Sequence, residues 1–256
     1  MTDQPTDDLT SRLQGLWLPL ITPFRDGELD EASLRRLVRH YAAGPVDGFI
    51  LAATSGEGMS LRADELERLV TVTRSELSGS ESRMPILLGL SGASTAKLLD
   101  ALDETATWPI DGYLIASPYY IRPSQRGLVQ HFAALADHAS WPIVLYNIPY
   151  RTGVSLTNET LLQLALHPNI VGMKDCSADR AQSIDFISRK PSGFRVLTGE
   201  RLEMPDQAAL RGPRVIGARD QIAVDRPGRG FIQCIQKLRG GSAGQTQQDW
   251  QAATAG

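Results

Sequence analysis

The sequence predicts an α/β protein that folds as a TIM (β/α)8 barrel. Short apolar runs rich in β-branched residues recur about every 30 residues, and segments with helical periodicity follow them. This alternation is typical of a parallel sheet covered by helices. The first 200 residues contain no glycine-rich dinucleotide fingerprint and no low-complexity linker. Both observations favour a closed barrel over the alternative, a doubly wound sheet.

The strands are predicted from the apolar runs. Seven runs cover residues 16–22, 46–54, 85–89, 112–117, 142–147, 170–175 and 195–198. Helices with one apolar face are indicated after Asp30, before Gly79 and after Ser124. A short run at residues 215–218 is the place for an eighth strand.

Three segments are expected along the chain. Residues 1–11 are polar and acidic and are predicted to form a flexible leader. Residues 12–219 form the barrel, and residues 220–256 form an atypical C-terminal tail. Beyond Glu200 the chain is rich in Arg, Gly and Gln, and both the helical and the strand periodicity become weak.

The composition excludes several classes of protein. A net charge of −3 argues against a nucleic-acid-binding protein, which usually carries an excess of Lys and Arg. No apolar run reaches membrane-spanning length, and the N-terminus does not resemble a secretory signal. Cys176 and Cys234 are far apart and lack the spacing of a zinc site, which predicts a cytoplasmic protein without disulfides or a structural metal.

An amine ends the sixth predicted strand, in the run Ile-Val-Gly-Met-Lys-Asp at residues 170–175. The active site of a barrel lies at the C-terminal ends of its strands. Lys174 is therefore either a lysine that leaves the rim for solvent or a nucleophile in the barrel mouth. The second role requires its pKa to fall by about 3 units, which burial among apolar groups provides.

Polar residues also follow the fifth predicted strand, at residues 146–153. Tyr146 is either a core aromatic or, since the next strand ends in Lys174, a phenol that relays protons during imine formation. Arg151 is either a partner in a surface ion pair or a bidentate ligand for a substrate carboxylate.

Two further segments have more than one interpretation. Thr54 and Ser55 precede Gly56 and supply donors for a small anion, although the same residues serve any tight turn. Tyr119 and Tyr120 follow the fourth predicted strand, where they either pack at the rim or line a pocket or a subunit contact.

Taken in order, these segments resemble the dihydrodipicolinate synthase and N-acetylneuraminate lyase family of pyruvate-dependent aldolases. The resemblance covers roughly residues 12–200 and rests on five motifs: Leu-Pro-Leu-Ile-Thr-Pro-Phe at 18–24, Thr-Ser-Gly-Glu at 54–57, Pro-Tyr-Tyr at 118–120, Tyr-Asn-Ile-Pro at 146–149 and Gly-Met-Lys at 172–174.

The resemblance implies a role for each matching residue. Lys174 is the Schiff-base lysine and Tyr146 the general acid and base. Thr54 or Ser55 links Tyr146 to solvent and contacts the keto acid carboxylate, and Tyr120 completes the relay from a neighbouring subunit. The remaining substrate-binding residues are expected to be Arg151, Gly199 and Ile216.

The arginine after the Tyr-Asn-Ile-Pro motif is similar to the synthase branch of the family, which condenses pyruvate with aspartate semialdehyde on the path to lysine. In that branch Arg151 binds the carboxylate of the semialdehyde. The resemblance also implies covalent imine chemistry without a cofactor or metal, and a homodimer or homotetramer. Alternatives are another pyruvate aldolase, a hydratase-aldolase, or an inactive copy. The pattern is foreign after Glu200, which indicates either a shifted reading frame or divergence with truncation.

Overall fold

A computed structural model of the chain describes residues 5–78, 84–199 and 215–216. In this part of the chain, parallel strands form a curled sheet with helices on its outer face. The strands are β1 (Gly15–Pro19), β2 (Phe24–Arg25), β3 (Glu28–Leu29), β4 (Gly48–Leu51), β5 (Ile86–Leu90), β6 (Gly112–Ala116), β7 (Ile143–Asn147), β8 (Ile170–Asp175), β9 (Arg195–Thr198) and β10 (Val215–Ile216). The sheet has the order β10-β1-β4-β5-β6-β7-β8-β9, as expected for the predicted barrel class.

The described helices include the three that the sequence predicts. They are α1 (Pro5–Arg12), α2 (Glu31–Ala42), α3 (Ala63–Leu77), α4 (Thr95–Thr105), α5 (Gln125–His138), α6 (Pro149–Thr152), α7 (Asn158–Leu164) and α8 (Arg180–Arg189). The Asp30 carboxylate accepts a hydrogen bond from the Ser33 amide at 3.0 Å and begins α2. Ser124 caps α5 in the same way through the Gly127 amide, at 3.2 Å. Both starts are thus explained by N-capping side chains.

Two differences from the predicted strands have local backbone causes. β4 ends at Leu51, three residues earlier than predicted, because Ala52 has a φ of +53° and leaves the extended conformation. β2 and β3 form an antiparallel hairpin that the sequence analysis missed. Its turn is Asp26-Gly27, both with positive φ, which is a known hairpin signal.

The core has two layers, one on each face of the sheet. The larger layer lies between the sheet and the helices and includes Phe49, Tyr113 and Phe132. The smaller layer lies inside the curled sheet and includes Trp17 and Val144. Strands that are apolar on both faces explain why their sequences are continuous apolar runs.

The predicted flexible leader was wrong where α1 occupies it. Leu9 and Leu13, one helical turn apart, are buried in the inner layer. Gly112 and Gly172 make room for them. A β carbon on Gly112 would lie 2.6 Å from a Leu9 methyl group, and one on Gly172 would lie 2.9 Å from a Leu13 methyl group. The segment is mostly polar, so the sequence analysis did not identify Leu9 and Leu13 as core residues that cover the N-terminal end of the sheet.

The short run expected as the eighth strand pairs with β1. β10 lies parallel to β1, with Gly15 opposite Val215 and Leu16 opposite Ile216. The side chain of Ile216 and the tail predicted for residues 220–256 lie outside the described residues. In the part of the chain that is described, no helix is both long and apolar enough to cross a membrane.

Candidate active site

The register of the sheet brings the two principal candidate residues together. Tyr146 on β7 is opposite Lys174 on β8, Ala116 on β6 is opposite Tyr146, and Lys174 is opposite Leu197 on β9. Residues paired across parallel strands point to the same face. These four side chains therefore form one layer at the C-terminal end of the sheet, on its inner face.

Lys174 is buried, with 6% of its surface exposed. Its Nζ lies 4.5 Å from the centroid of the Tyr146 ring. Burial lowers the pKa of the Lys174 amine because the charged form loses its water, and a smaller effect from Cys176 opposes this. Such an environment increases the fraction of neutral, nucleophilic amine.

The Tyr146 ring packs against this amine. Burial is the main reason why the pKa of its phenol is raised, repulsion by Cys176 adds to it, and an interaction with the Thr54 hydroxyl opposes it. The phenol thus keeps its proton and can donate it. The structure brings Lys174, Tyr146 and Thr54 together, as predicted.

The turn that carries Thr54 is held in an unusual conformation. Thr54–Gly56 forms a short 3-10 turn, and Thr22 Oγ1 donates to the Gly56 carbonyl at 2.6 Å. Gly58 has no room for a side chain, because a β carbon there would lie 1.7 Å from the Ala52 carbonyl oxygen. Glycine is thus required for this close approach, and it fixes where Thr54 lies.

A cavity of about 790 Å³ opens in front of Tyr146. Its wall includes Thr54, Tyr119, Tyr146 and Arg151, and it extends along the start of α4 to Lys97. Lys174 does not line this cavity, but its amine lies over the face of the Tyr146 ring, which does. The volume suits a small-molecule site, which typically measures about 300–1,000 Å³.

Arg151 lines the cavity, and Ser55 is next in sequence to Thr54, which also lines it. Arg151 is exposed, and its guanidinium lies 5.5 Å from the centroid of the Tyr150 ring. Ser55 is exposed on the turn that also carries Thr54. Neither side chain is committed to a buried structural contact, so both can meet a ligand.

Tyr120 is not brought to Tyr146 within this chain. It is 91% exposed and has a φ of +71°, and Arg122 nearby also has a positive φ. Arg122 packs over Gly153, where a β carbon would lie 2.9 Å from its Nε. A non-glycine residue held at positive φ stores strain. The role predicted for Tyr120 in the site of a neighbouring subunit stays a prediction.

A buried carboxylate holds the segments that follow β7 and β8. Asp175 accepts hydrogen bonds from Asn147 Nδ2 at 3.1 Å, from the Ser177 amide at 3.1 Å and from Ser183 Oγ at 2.6 Å. Asn147 Oδ1 in turn accepts from the Leu156 amide at 3.1 Å. This network, which sequence reasoning missed, fixes the strand ends that present Tyr146 and Lys174.

Gly199 and Cys176 lie directly beside Lys174. A β carbon on Gly199 would lie 2.2 Å from Cys176 Sγ and 3.3 Å from Lys174 Cε. Gly199 is thus next to the predicted nucleophile, and its expected role in substrate binding stays a prediction. Cys176 was not predicted, although it lies two residues after Lys174 and so points to the same side of the strand.

The described residues contain no group of three or more His, Cys, Asp or Glu side chains placed to hold a metal ion.

Comparison with known proteins gives a consistent assignment. A model of the dihydrodipicolinate synthetase family matches residues 12–245. The matched range continues beyond Glu200, where the sequence analysis found the pattern foreign to the family. The 4-hydroxy-tetrahydrodipicolinate synthase 2 of Clostridium acetobutylicum is 40% identical over 189 residues, covering 74% of this chain and 65% of the relative.

Two further relatives agree with it. The 4-hydroxy-tetrahydrodipicolinate synthase of Syntrophus aciditrophicus is 35% identical over 210 residues, covering 82% of this chain and 71% of the relative. The solved 4-hydroxy-tetrahydrodipicolinate synthase from Methylacidiphilum fumariolicum SolV is 36% identical with a TM-score of 0.69, covering 73% of this chain and 62% of that chain. This chain therefore spans about two thirds of the length of these relatives. It belongs to the dihydrodipicolinate synthetase family.

Proposed function

We propose that this protein is a class I lyase that condenses pyruvate with aspartate semialdehyde, as a 4-hydroxy-tetrahydrodipicolinate synthase in lysine biosynthesis. The observation that carries the proposal is the buried Lys174 amine against the Tyr146 ring, 4.5 Å from its centroid. The names of the relatives support the choice of substrates.

The first step is the attack of the neutral Lys174 amine on the keto carbon of pyruvate. The carbinolamine forms as one proton passes from nitrogen to oxygen, and it then loses its hydroxyl as water with a proton supplied by the Tyr146 phenol. The phenolate left behind takes the remaining proton from nitrogen and is restored to the phenol. The product is an imine between Nζ and the former keto carbon. The raised pKa of Tyr146 suits this donation, since the phenol is protonated before the step.

The other candidate residues bind the substrates. Thr54, which lines the cavity beside Tyr146, links that phenol to solvent, and Ser55 supplies a donor to the keto acid carboxylate. Arg151, exposed at the cavity margin, binds the carboxylate of the aldehyde in a bidentate manner. Gly199 leaves room for the Lys174 stem, and Ile216 is included in the proposal as a further substrate-binding residue.

The proposal includes an assembly. Tyr120, which is 91% exposed, reaches the site of a neighbouring subunit in a homodimer or homotetramer. The imine is formed with the substrate itself, so the reaction uses no cofactor and no metal. The acidic composition and the wide spacing of the cysteines support a cytoplasmic location without a nucleic-acid partner.

The test is trapping with pyruvate and borohydride, followed by peptide mass spectrometry. We expect one reduced pyruvyl group at Lys174 and none in a Lys174→Met variant. Lys190 is an internal control, because its pKa is also lowered by burial although it lies outside the site. Labelling at Lys190 in place of Lys174, or no labelling of folded protein, would contradict the mechanism.

A second experiment addresses the aldehyde. Turnover with pyruvate is measured across aspartate semialdehyde, sugar-derived aldehydes and aromatic aldehydes. Preference for aspartate semialdehyde is expected. Preference for another aldehyde would assign the chain to a different pyruvate aldolase or hydratase-aldolase, and trapping without any turnover would identify an inactive copy.

A further inference from the structure

Asn147 is a buried amide at the end of β7 that is hydrogen-bonded in two directions. Its Nδ2 donates to Asp175 Oδ1 at 3.1 Å, and its Oδ1 accepts from the Leu156 amide at 3.1 Å. The residue is 1% exposed, so water does not replace either partner. A carboxylate only accepts and a backbone amide only donates. A side-chain amide is therefore the group that satisfies both partners at once.

The bond to Asp175 lies directly behind the two reacting residues. In the register of β7 and β8, Asn147 is opposite Asp175, just as Tyr146 is opposite Lys174. Successive residues of a strand point to opposite faces, so the first pair lies on the outer face and the second on the inner face. The outer bond consequently joins the strand ends at the point where the amine lies over the phenol ring, 4.5 Å from its centroid.

The bond to Leu156 closes the segment that carries Arg151. Residues 148–155 include α6, and Arg151 of this helix lines the cavity. Leu156, which follows the segment, is fully buried. Its amide donates to Asn147, and its carbonyl accepts from Gln182 Nε2 on α8 at 2.6 Å. The segment thus begins directly after the strand that carries Asn147 and returns to the side chain of that residue.

These contacts form a closed circuit around the C-terminal ends of β7 and β8. Gln182 and Ser183 are consecutive residues of α8, and Ser183 Oγ donates to Asp175 at 2.6 Å. The circuit therefore runs from Asp175 through Asn147 and Leu156 to α8 and back to Asp175. Neither Asn147 nor Asp175 lines the cavity described above. Both residues consequently act on a substrate only through the groups that they hold.

We propose that Asn147 is a positioning residue, which fixes the Arg151 segment relative to Lys174 and Tyr146. The inference deepens the proposed function and rests on it for the identity of the two substrates. The pyruvate imine forms on β8, and the carboxylate of the aldehyde binds to the segment after β7. The Nδ2 bond holds the amine and the phenol in place for imine formation, and the Oδ1 bond places the guanidinium for the aldehyde.

Asn147→Asp tests the Nδ2 bond. Aspartate keeps an acceptor for the Leu156 amide but brings a second carboxyl group against Asp175. Two carboxyl groups at this distance share one proton, which restores the donor at lower pH, and they repel each other once that proton is lost. The other side chains that contact Asp175, those of Ser177 and Ser183, do not ionise in this range.

The first readout is the rate at which pyruvate labels Lys174, measured by rapid quenching with borohydride. The ratio of the variant rate to that of the unsubstituted chain should fall about 10- to 100-fold as the pH rises, the scale of a misplacement of about 1 Å. Lys174 and Tyr146 titrate in both proteins, so their own pH dependence largely cancels in the ratio. In the Asp175→Asn background the pair holds one carboxylate and one amide throughout this range, and the fall should vanish. The kcat/KM for aspartate semialdehyde, which reports the steps after imine formation, should change much less.

Gln182→Ala tests the opposite side of the circuit. It removes the donor to the Leu156 carbonyl and leaves the bond between Asn147 and Asp175 intact. The kcat/KM for aspartate semialdehyde should fall about 10-fold, because Arg151 is displaced, while pyruvate labels Lys174 at the unsubstituted rate. Asn147→Leu, which has neither polar group, should show both defects.

Thr105→Val is the matched control for lost stability. The Thr105 hydroxyl is bonded to the Tyr113 hydroxyl at 2.9 Å, and this contact is also buried on the outer face of the sheet but lies near the start of β6. Neither readout should change in this variant. A change of either readout in Thr105→Val would overturn the proposal. So would an equal loss of both readouts in Asn147→Asp, or normal labelling of Lys174 in that variant at every pH.

A further readout needs neither substrate. The nuclear Overhauser effect between the Tyr146 ring and the ε-methylene protons of Lys174 reports their separation, and in Asn147→Asp it should weaken over the same rise in pH. An unchanged effect would also overturn the proposal. Failure of pyruvate to label Lys174 in the unsubstituted chain would instead refute the proposed function, and it would leave this readout intact.

Discussion

Replacement of Gly199 by alanine tests the packing on which the site depends. The added methyl group would lie 2.2 Å from Cys176 Sγ, which is far inside contact distance. Gly199 does not have a positive φ, so the backbone itself accepts alanine. The expected cost arises from overpacking alone, at about 1–3 kcal/mol of unfolding free energy. The thiol is buried, so its rotation away from the methyl group disturbs other contacts.

A double-mutant cycle isolates this contact. In Cys176→Ala the sulfur is absent, and the closest remaining Cys176 atom, the β carbon, lies 3.8 Å from the new methyl group, an ordinary contact. We expect Cys176→Ala alone to cost about 1 kcal/mol for the small cavity it leaves. Adding Gly199→Ala to it should cost little further. The remaining tight approach, 3.3 Å to Lys174 Cε, needs only a small shift of a flexible side chain, and alanine restricts the unfolded chain by about 0.4–1 kcal/mol.

Urea unfolding of the four proteins measures the coupling between the two positions, expected at about 1–3 kcal/mol in favour of the double variant. Leu197→Val in place of Cys176→Ala is the control, and it should not rescue Gly199→Ala. Additive effects of the two substitutions, or an unchanged stability of Gly199→Ala, would refute the packing described for Gly199, Cys176 and Lys174.

Three further predictions follow from other parts of the structure. His131 is buried, which lowers its pKa from 6.5 to about 4. Between these two pH values the unfolded chain binds more protons than the folded one. The free energy of unfolding should therefore rise by about 3 kcal/mol from pH 4 to 6.5 and then level off. Urea midpoints against pH should lose that slope in His131→Gln, and an unchanged slope would contradict the assignment. Asp175→Ala should lower the unfolding free energy by about 2–4 kcal/mol, since Asn147 and Ser183 lose a buried acceptor, whereas Asp175→Asn should cost less. Equal costs in the two variants would show that the network does not depend on the acceptor. Arg151→Ala should raise the KM of the aldehyde about 10- to 100-fold and leave that of pyruvate nearly unchanged, because one charge-assisted contact is lost; equal effects on both substrates would indicate a structural role.

The frame of the fold could be predicted because its strands are buried on both faces. β8 and β9 were predicted with the bounds that the structure has, and β8 is buried along its whole length. α2 and α5 were predicted because each combines a capping side chain with one apolar face. The error at β4 came from the conformation of Ala52, which an apolar pattern does not reveal.

α1 was missed for a different reason. Leu9 in α1 and Leu13 just after it enter the core, and they fit there because Gly112 and Gly172, which lack side chains, lie directly against them. Complementarity between residues about 100 or more positions apart is tertiary information. Local periodicity therefore predicts a polar leader, whereas in the folded chain the same segment packs on the inner layer of the core.

The residues of β8 illustrate which members of the candidate site could be predicted from the sequence. Alternation along β8 sends Gly172, Lys174 and Cys176 to the inner face, and Met173 and Asp175 to the outer face. Lys174 was found because a lysine is unexpected at the end of an apolar strand. Cys176 was overlooked because a buried cysteine usually behaves as a small apolar residue.

The same alternation separates the roles of two neighbouring polar residues. Asp175 is one residue from Lys174, yet it binds Asn147, Ser177 and Ser183 on the other side of the strand. A carboxylate at the position of Cys176 would instead face the amine and hold it as an ammonium ion, which cannot attack a carbonyl. Cys176 occupies that position instead, so the side of β8 that carries Lys174 presents a glycine and a thiol to the amine and no carboxylate.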